Sequence, residues 1–506
     1  MKRLIQITVI FISFMTISCQ KEKVEKNQNP NIIYILADDM GYGDVSYLNE
    51  NSKIKTPNID QLASQGMSFT DAHSGSAVCT PTRYGILTGR YAWRTSMKQG
   101  VLWSHSEALI DPKRETVASM LKKNGYQTAC VGKWHLGLNW AKDSLDQVQY
   151  AERIGGTPSG NGFDESYIIT ASLDIPPYFY IKDHYITASS IDSIDGTTGQ
   201  GFWRKGPIGN DFKHEEVLFH LADQAVDYVN RKAKGDEPFF LYFPLPAPHT
   251  PILPTEQFKG KSGIGAFGDF VLMVDDVVKQ IMDVVEKNGI TDNTIIIFTS
   301  DNGVTPKSDI KELSALGHQS SYEFRGHKAD IFEGGHRIPF IVKWPDKIKA
   351  GTFSNETTCL TDLMATVGAI VDQEIANNSA EDSYNFLPVL KGEKIDGPVR
   401  EATVHHSING TFSIRQGKWK LIFGPGSGGW SDPKPKRARE EKLPLLQLYD
   451  LQQDIAEKNN VAKEHPELVK DLTKLMESYV DNGRSTPGEN VDNDTETTFM
   501  PKPYEL

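Results

Sequence analysis

The sequence predicts an α/β fold: a large mixed, mostly parallel sheet flanked by helices, with a smaller C-terminal α+β domain carrying an antiparallel sheet. Three observations predict it. From Asn31 onward, short apolar and β-branched runs alternate with longer amphipathic stretches, the pattern of strands covered on both faces by helices. From about Arg400 the texture changes to closely spaced strand-like runs. The chain has 506 residues, enough for a large core and more than one folding unit.

Taken in order, Ile32–Leu36, Thr128–Val131, Phe239–Phe243, Ile295–Thr299 and Pro339–Lys343 read as buried strands, being short apolar runs bounded by turn residues. Between them Glu115–Asn124, Glu215–Ala233 and Asp269–Asn288 place apolar residues three and four apart, as helices with one buried face do. The stretches ATVHH, TFSIRQGKWKLIF and LLQLYDL read as antiparallel strands, Pro466–Asn482 as a closing helix, and residues 427–442 as an exposed, charged loop. The implied organisation is a signal at 1–18, a linker at 19–29, an α/β domain at 30–398, a C-terminal α+β subdomain at 399–482 and a polar tail at 483–506.

Composition narrows the function. Hydrophobic residues are 38% and charged residues 24%, and mean hydropathy is −0.42, a globular profile rather than a disordered or membrane-spanning one. The net charge of −12 is unfavourable for generic binding to nucleic acid or anionic membranes, so a polyanionic partner has to be held by a local basic pocket. Four cysteines, Cys19, Cys79, Cys130 and Cys359, are too few for a disulfide framework. Cys130, inside a strand, and Cys359, at the entry of the helical run Thr361–Ile370, are most simply packed thiols, with a Cys130–Cys359 bridge as the alternative.

At the N-terminus, Lys2 and Arg3 precede an apolar run from Leu4 to Ile17 and then Ser18-Cys19. The run is too short to span a bilayer and fits a secretory signal. A cysteine after a small residue, followed by polar residues, resembles a bacterial lipoprotein signal in which Cys19 is lipidated; ordinary signal cleavage nearby is the alternative. Either way the chain is exported. Of the 54 basic residues, loss of Lys2 and Arg3 leaves 52 against 66 acidic ones.

The residues that follow the predicted strands carry the functional signal. Asp38 and Asp39 follow the first, Lys133 and His135 the second, His249 the third, and Asp301 and Asn302 the fourth. Ligands of open α/β sheets bind beyond the carboxyl ends of strands. One Asp there is ordinarily a turn residue, but four strand ends bearing metal-ligand or acid–base groups point to one crevice. Asp38, Asp39, Asp301 and Asn302 offer only oxygen, which suits calcium or magnesium rather than zinc. Adjacent aspartates in an apolar crevice repel unless a cation lies between them. In SAVCTPTRYGILTGRY, residues 76–91, Pro81 reads as a first helical residue. That puts Cys79 at a helix N-terminus, where thiol pKa falls, with Arg83 on the same face; taken without context, a packed core cysteine is the better reading of Cys79.

These motifs identify a resemblance. Cys79-Thr80-Pro81-Thr82-Arg83, with LTGR at 87–90 and GKWHLG at 132–137, resembles the arylsulfatase-type sulfatases of the alkaline phosphatase superfamily. The likeness continues through LADDMGYGD (36–44), TPNIDQLASQG (56–66), PAPHTP (246–251), TSDNG (299–303), RGHKADIFEGGHRIPFIVKWP (325–345) and QLYDLQQDIAEKNN (447–460). It implies an alkaline-phosphatase-like fold. It also implies that a sulfatase-maturation enzyme oxidises Cys79 to formylglycine (3-oxoalanine), whose hydrate attacks sulfur and then expels sulfate. Asp38, Asp39, Asp301 and Asn302, with the modified Cys79, match the ligands of one Ca2+. Arg83 matches the residue that fixes the formylglycine, and Lys133 and Lys328 match the lysines that bind sulfate oxygens. His249 matches the proton donor to the leaving oxygen, and His135 the group that assists the second deprotonation. Thr82 stands where serine is commonest.

Substrate-binding candidates are Trp103, His105, Asp174, the Trp203-Arg204 pair, His336 and Arg337. Exported bacterial sulfatases of this kind resemble those that desulfate polysaccharides, so the implied substrate is a sulfated carbohydrate such as ulvan, carrageenan, glycosaminoglycan or mucin glycan. Within that class the reading favours a 6-O-sulfated hexose or N-acetylhexosamine. The alternatives are a phosphonate or phosphodiester hydrolase of the same superfamily, and a non-catalytic surface glycan-binding lipoprotein.

Overall fold

The computed structural model describes residues 29–504. The lipidation site Cys19, the signal at 1–18 and most of the linker lie outside the described residues. In chain order the first strands are β1 Asn31–Ala37, β2 Met67–Phe69, β3 Ala72–His73, β4 Gln127–Lys133, β5 Glu165–Ile169, β6 Tyr180–Lys182, β7 Tyr185–Ile186, β8 Ile191–Ile194 and β9 Gly206–Gly209. There follow β10 Phe239–Pro244, β11 Thr294–Ser300, β12 Phe340–Lys343, β13 Thr352–Ser354, β14 Thr358–Cys359, β15 Thr403–His406, β16 Phe412–Gln416, β17 Trp419–Phe423 and β18 Leu446–Asp450.

Ten of these form one sheet in the order β13-β2-β12-β11-β1-β10-β4-β5-β6-β7. Its centre, β11-β1-β10-β4-β5, is parallel throughout, whereas β12 and β6 pair antiparallel with it. Alternate residues feed opposite faces. Ile32, Tyr34, Phe240, Tyr242 and Ile295 join one core with the helices Cys79–Thr88, Val117–Lys123 and Leu363–Ile370. Ile33, Ile35, Leu241, Phe243 and Ile296 join the other, under Pro57–Ser64, Val217–Lys232 and Ala266–Lys287. Burial on both faces is why these strands read as unbroken apolar runs.

β15–β18 form a separate four-stranded antiparallel sheet covered by the helix Pro466–Asp481. Its core is not self-contained: Tyr91, Trp93 and Cys359 pack with Val404, Ile414, Leu421 and Met476. The backbone N–H of Ala77 donates to the His406 carbonyl at 3.0 Å, so the C-terminal sheet braces the segment that leads into Cys79. Residues 427–442 differ from the exposed loop expected. Ser427 and Gly429 are buried, and the Trp430 and Ser431 N–H groups donate to Asp330 Oδ1 at 2.7 and 3.0 Å. Only the part beyond them is mainly exposed. Among the described residues of the polar tail, 483–504, there is no helix or strand, but the tail lies on the body, where Asp494 accepts from Arg90 Nη1 at 3.1 Å and Asn493 from Arg94 Nη1 at 3.0 Å.

Candidate active site

β11, β1, β10 and β4 are consecutive in the sheet, so the four strand ends singled out in the sequence lie side by side. The Asp301 N–H donates to the Ala37 carbonyl at 3.1 Å, the Asp38 N–H to the Ala247 carbonyl at 2.9 Å, and the Asp39 N–H to Asp301 Oδ1 at 3.2 Å. Asp39, with φ of 68°, turns the chain out of β1 in the left-handed region, which Asp tolerates better than most residues.

Cys79 is the first residue of the helix Cys79–Thr88. The helix starts two residues before Pro81, which sits in the first turn, where its missing N–H costs no hydrogen bond. One ligand atom from each of Asp38, Asp39, Cys79 and His249 lies within 4.8 Å of the others. Three cations surround this knot, and all are buried. Arg83 donates to Asp301 Oδ2 through Nε at 3.1 Å and Nη2 at 2.7 Å, and to the Lys133 carbonyl at 2.9 Å. Lys133 Nζ reaches Asp38 Oδ2 at 2.6 Å, and Lys328 Nζ reaches Asp39 at 2.7 and 2.8 Å. Asn302 Nδ2 donates to Asp39 Oδ1 at 2.8 Å, which leaves its oxygen free. Asp38 Oδ1 and Asn302 Oδ1 are both buried without a hydrogen bond.

Burial opposes charge on all these groups, and their neighbours decide the outcome. Burial raises Asp38, but Lys133, His249, Arg83 and Lys328 together hold it well below the ordinary carboxylate range. Burial and the neighbouring Asp38 push Asp301 up to about 7. The expected fall in the Cys79 pKa is not what the structure shows: burial pushes the thiol up to about 12 in spite of Lys133 and Lys328. An unmodified Cys79 is therefore a protonated thiol, not a ready nucleophile.

His135 and His249 are fixed by carbonyls, which only accept, so the proton position on each ring is set. His135 Nε2 donates to the Leu102 carbonyl at 2.8 Å, leaving Nδ1 buried and unpartnered. Burial, then Lys133 and Arg83, drive its pKa well below the usual value, so the ring is neutral. His249 Nδ1 donates to the Thr250 carbonyl at 2.6 Å and presents Nε2 to Asp39 Oδ2 at 3.6 Å.

A family model described as Sulfatase matches residues 30–372. The chain belongs to the sulfatase family. This sulfatase is 36% identical to the N-acetylgalactosamine-6-O-sulfatase of Bacteroides thetaiotaomicron, with 91% of this chain and 94% of that one covered. It is 30% identical to human arylsulfatase A over 88% and 87% of the two chains. Among solved structures, a B. thetaiotaomicron protein described in connection with the metabolism of multiple glycosaminoglycans superimposes with a TM-score of 0.79 at 35% identity. That match covers 89% of this chain and 99% of the other.

Within this sulfatase the substrate-binding candidates separate into two groups. Trp103 is 53% exposed, and Asp174 pairs with Arg204 at 2.6 Å. His105 lies at the surface against Tyr150 and Trp140. His336 and Arg337, expected to bind substrate, are instead held inside the protein's own contacts. The His336 ring is sealed, bonded to His73 at 3.0 Å and stacked on His405 at 3.8 Å. Arg337 is engaged by Asp71 at 3.2 Å, Glu333 at 3.3 Å and the Thr70 carbonyl. Both belong to an ionic network that includes Lys420 and Arg415 of the C-terminal sheet. This network joins residues some 340 positions apart in sequence, which local pattern cannot reveal.

The sequence reading also passed over Thr80, whose hydroxyl donates to the His135 carbonyl and accepts from the Leu102 N–H, each at 3.1 Å. Its position next to Cys79 was the available signal. Thr82, the departure from the common motif, donates to the Ser76 carbonyl at 3.0 Å, a bond a serine hydroxyl could also make. Cys130 and Cys359 are free, buried thiols, as the simpler reading expected.

Proposed function

We propose that this sulfatase removes sulfate from sulfated carbohydrate, with 6-O-sulfated N-acetylgalactosamine as the leading substrate, using a formylglycine made from Cys79 beside a bound Ca2+. The observation that carries the reading is the knot of Asp38, Asp39, Cys79 and His249 at the helix N-terminus and strand ends. The sugar is suggested by the name of the relative that is 36% identical over nearly the whole chain.

The residues fit a hard cation. Asp38, Asp39, Asp301 and Asn302 supply oxygen alone, and two of those oxygens are buried acceptors without a donor, a costly state that a cation relieves. Three carboxylates already face Arg83, Lys133 and Lys328, so a divalent ion leaves the site positive and suited to a sulfate ester. When bound, the ion polarises sulfate oxygens and the formylglycine hydrate supplies the attacking oxygen. Arg83 holds Asp301 and the first turn of the Cys79 helix in place. Lys133 and Lys328 neutralise charge on the sulfate oxygens. His249 is the proton donor toward the leaving alcohol in its imidazolium form, giving up the Nε2 proton while Nδ1–H stays on the Thr250 carbonyl. His135, neutral with Nδ1 free, is the acceptor for the second proton.

The same reading assigns conversion of Cys79 to a sulfatase-maturation enzyme and takes the chain as an exported lipoprotein held at Cys19, facing the periplasm or the cell surface. Sulfate release from defined sulfated oligosaccharides by calcium-loaded protein, with matched phosphate and phosphonate esters alongside, tests the chemistry. Release from a sulfated N-acetylgalactosamine that vanishes in Cys79→Ala is the expected result, and a phosphonate preference would contradict it.

A further inference from the structure

Three chain segments meet beside His135. The first runs on from Leu102, which is tied to both His135 and Thr80, and exposes the Trp103 ring. The second follows β5 and carries Asp174. It is held to the first where Ser104 Oγ accepts from Thr170 Oγ1 at 3.1 Å and donates to the Ile175 carbonyl at 3.4 Å. The third carries Arg204, whose Nη1 donates to Asp174 Oδ2 at 2.6 Å and to the Asp174 carbonyl at 3.0 Å. The guanidinium carbon lies 5.0 Å from the centre of the Trp103 ring and 5.0 Å from that of Phe202.

We propose that Asp174, Arg204 and Trp103 form the sugar-reading wall of the active site: the ion pair binds neighbouring hydroxyls of the sulfated pyranose while Trp103 packs against its apolar face. The proposal rests on the carbohydrate reading above.

Stability does not explain the pair. The Arg204 side chain is 39% exposed and that of Asp174 13%, and a pair open to water on its arginine side adds little to folding, while Asp174 Oδ1 stays buried without a partner. The segment is already held without the side chain, by Tyr178 Oη donating to the Arg204 carbonyl at 2.7 Å and the Arg204 N–H donating to the Asp174 carbonyl at 3.2 Å. What the side chains add is a rigid donor–acceptor array, with Asp174 and Nη1 fixed and the rest of the guanidinium fork turned to neither. Both rings lie within cation–π reach of the guanidinium. A carboxylate beside a guanidinium matches the paired donor and acceptor character of adjacent sugar hydroxyls. An exposed indole is a broad apolar platform of the kind a sugar ring covers.

The test is kinetic. Wild type, Asp174→Asn, Arg204→Met and Trp103→Ala are assayed on 6-O-sulfo-N-acetylgalactosamine and on its 3-deoxy and 4-deoxy analogues, with melting curves for each protein. Wild type is expected to lose about 100-fold in kcat/KM on at least one deoxy analogue. Asp174→Asn and Arg204→Met lose about as much on the intact sugar and little more on that analogue, the non-additivity of partners in one contact. Trp103→Ala raises KM with little change in kcat. Wild type indifferent to both deletions overturns the proposal without any variant, and so do variant losses repeated in full on the deoxy analogues. Wild type that hydrolyses no sulfate ester overturns the sulfatase chemistry itself; turnover without hydroxyl discrimination overturns only the wall. If Arg204→Met melts early, Arg204→Lys, which keeps charge and loses the fork, takes its place with the same expectation.

Discussion

Asp38 Oδ1 and Asn302 Oδ1 are buried acceptors with nothing to accept from, and burial, with Asp38 close by, raises the Asp301 pKa to about 7. A cation answers both conditions. Chelation with EGTA is therefore predicted to abolish sulfate release, and calcium to restore it. Because the ion binds only the folded chain, calcium at about 100 times its dissociation constant adds roughly 2.7 kcal/mol of stability. Thermal unfolding in EGTA and in calcium measures this, and coincident melting curves would contradict it. The four candidate cation-ligating positions stand out in the sequence because they come as two adjacent pairs directly after strands, Asp38 and Asp39 after β1 and Asp301 and Asn302 after β11. His336 and Arg337 are tied up by residues far along the chain: Lys420 bonds the buried His336 ring directly, and Arg415 shares Asp71 with the half-buried Arg337. The Cys79 pKa was misread for a related reason: a helix N-terminus is a local feature, whereas desolvation is set by everything packed around it.

At the level of single elements, β4 does more than deliver Lys133. Its penultimate residue Gly132 has φ of 131°, and a Cβ there would lie 1.9 Å from the Pro244 carbonyl oxygen of β10. Only glycine lets the two strand ends approach so closely just where Lys133 and His135 leave the sheet. Gly132→Ala is predicted to cost about 2–4 kcal/mol in urea unfolding and to depress kcat strongly by displacing Lys133. Wild-type activity in that variant would show that the approach is dispensable. Four of the five parallel strands, β1, β4, β10 and β11, are readable because double burial leaves an apolar run; β5, whose Glu165 and Tyr167 are only half-buried, carries no such run and is not. Short edge strands such as β7 and β13 were not, since two or three residues carry no period to detect.

At the scale of the whole molecule, the C-terminal sheet is a brace for the catalytic segment rather than an appendage. β15 bonds the Ala77 backbone two residues before Cys79, and its His406 is buried with neither ring nitrogen hydrogen-bonded. Burial lowers the His406 pKa to about 4. The folded state thus prefers the neutral ring, and this preference is present in full above the unfolded pKa near 6.5 and is lost as pH falls toward 4. It amounts to about 3 kcal/mol. Unfolding free energies measured from pH 7.5 to 4.5 are predicted to fall less steeply in His406→Phe than in wild type; parallel profiles would refute the assignment. The division into two sheets was legible from the change of texture near Arg400. The shared core was not, because Tyr91 and Trp93 meet Val404 and Ile414 only once the chain has folded. The segment so braced carries Cys79, proposed above as the precursor of the nucleophile and not the nucleophile itself. The mass of the peptide containing Cys79, taken from fully active protein made in its native host, tests that claim most directly. An aldehyde or its hydrate in place of the thiol is the predicted result, and an intact cysteine in fully active protein would contradict it.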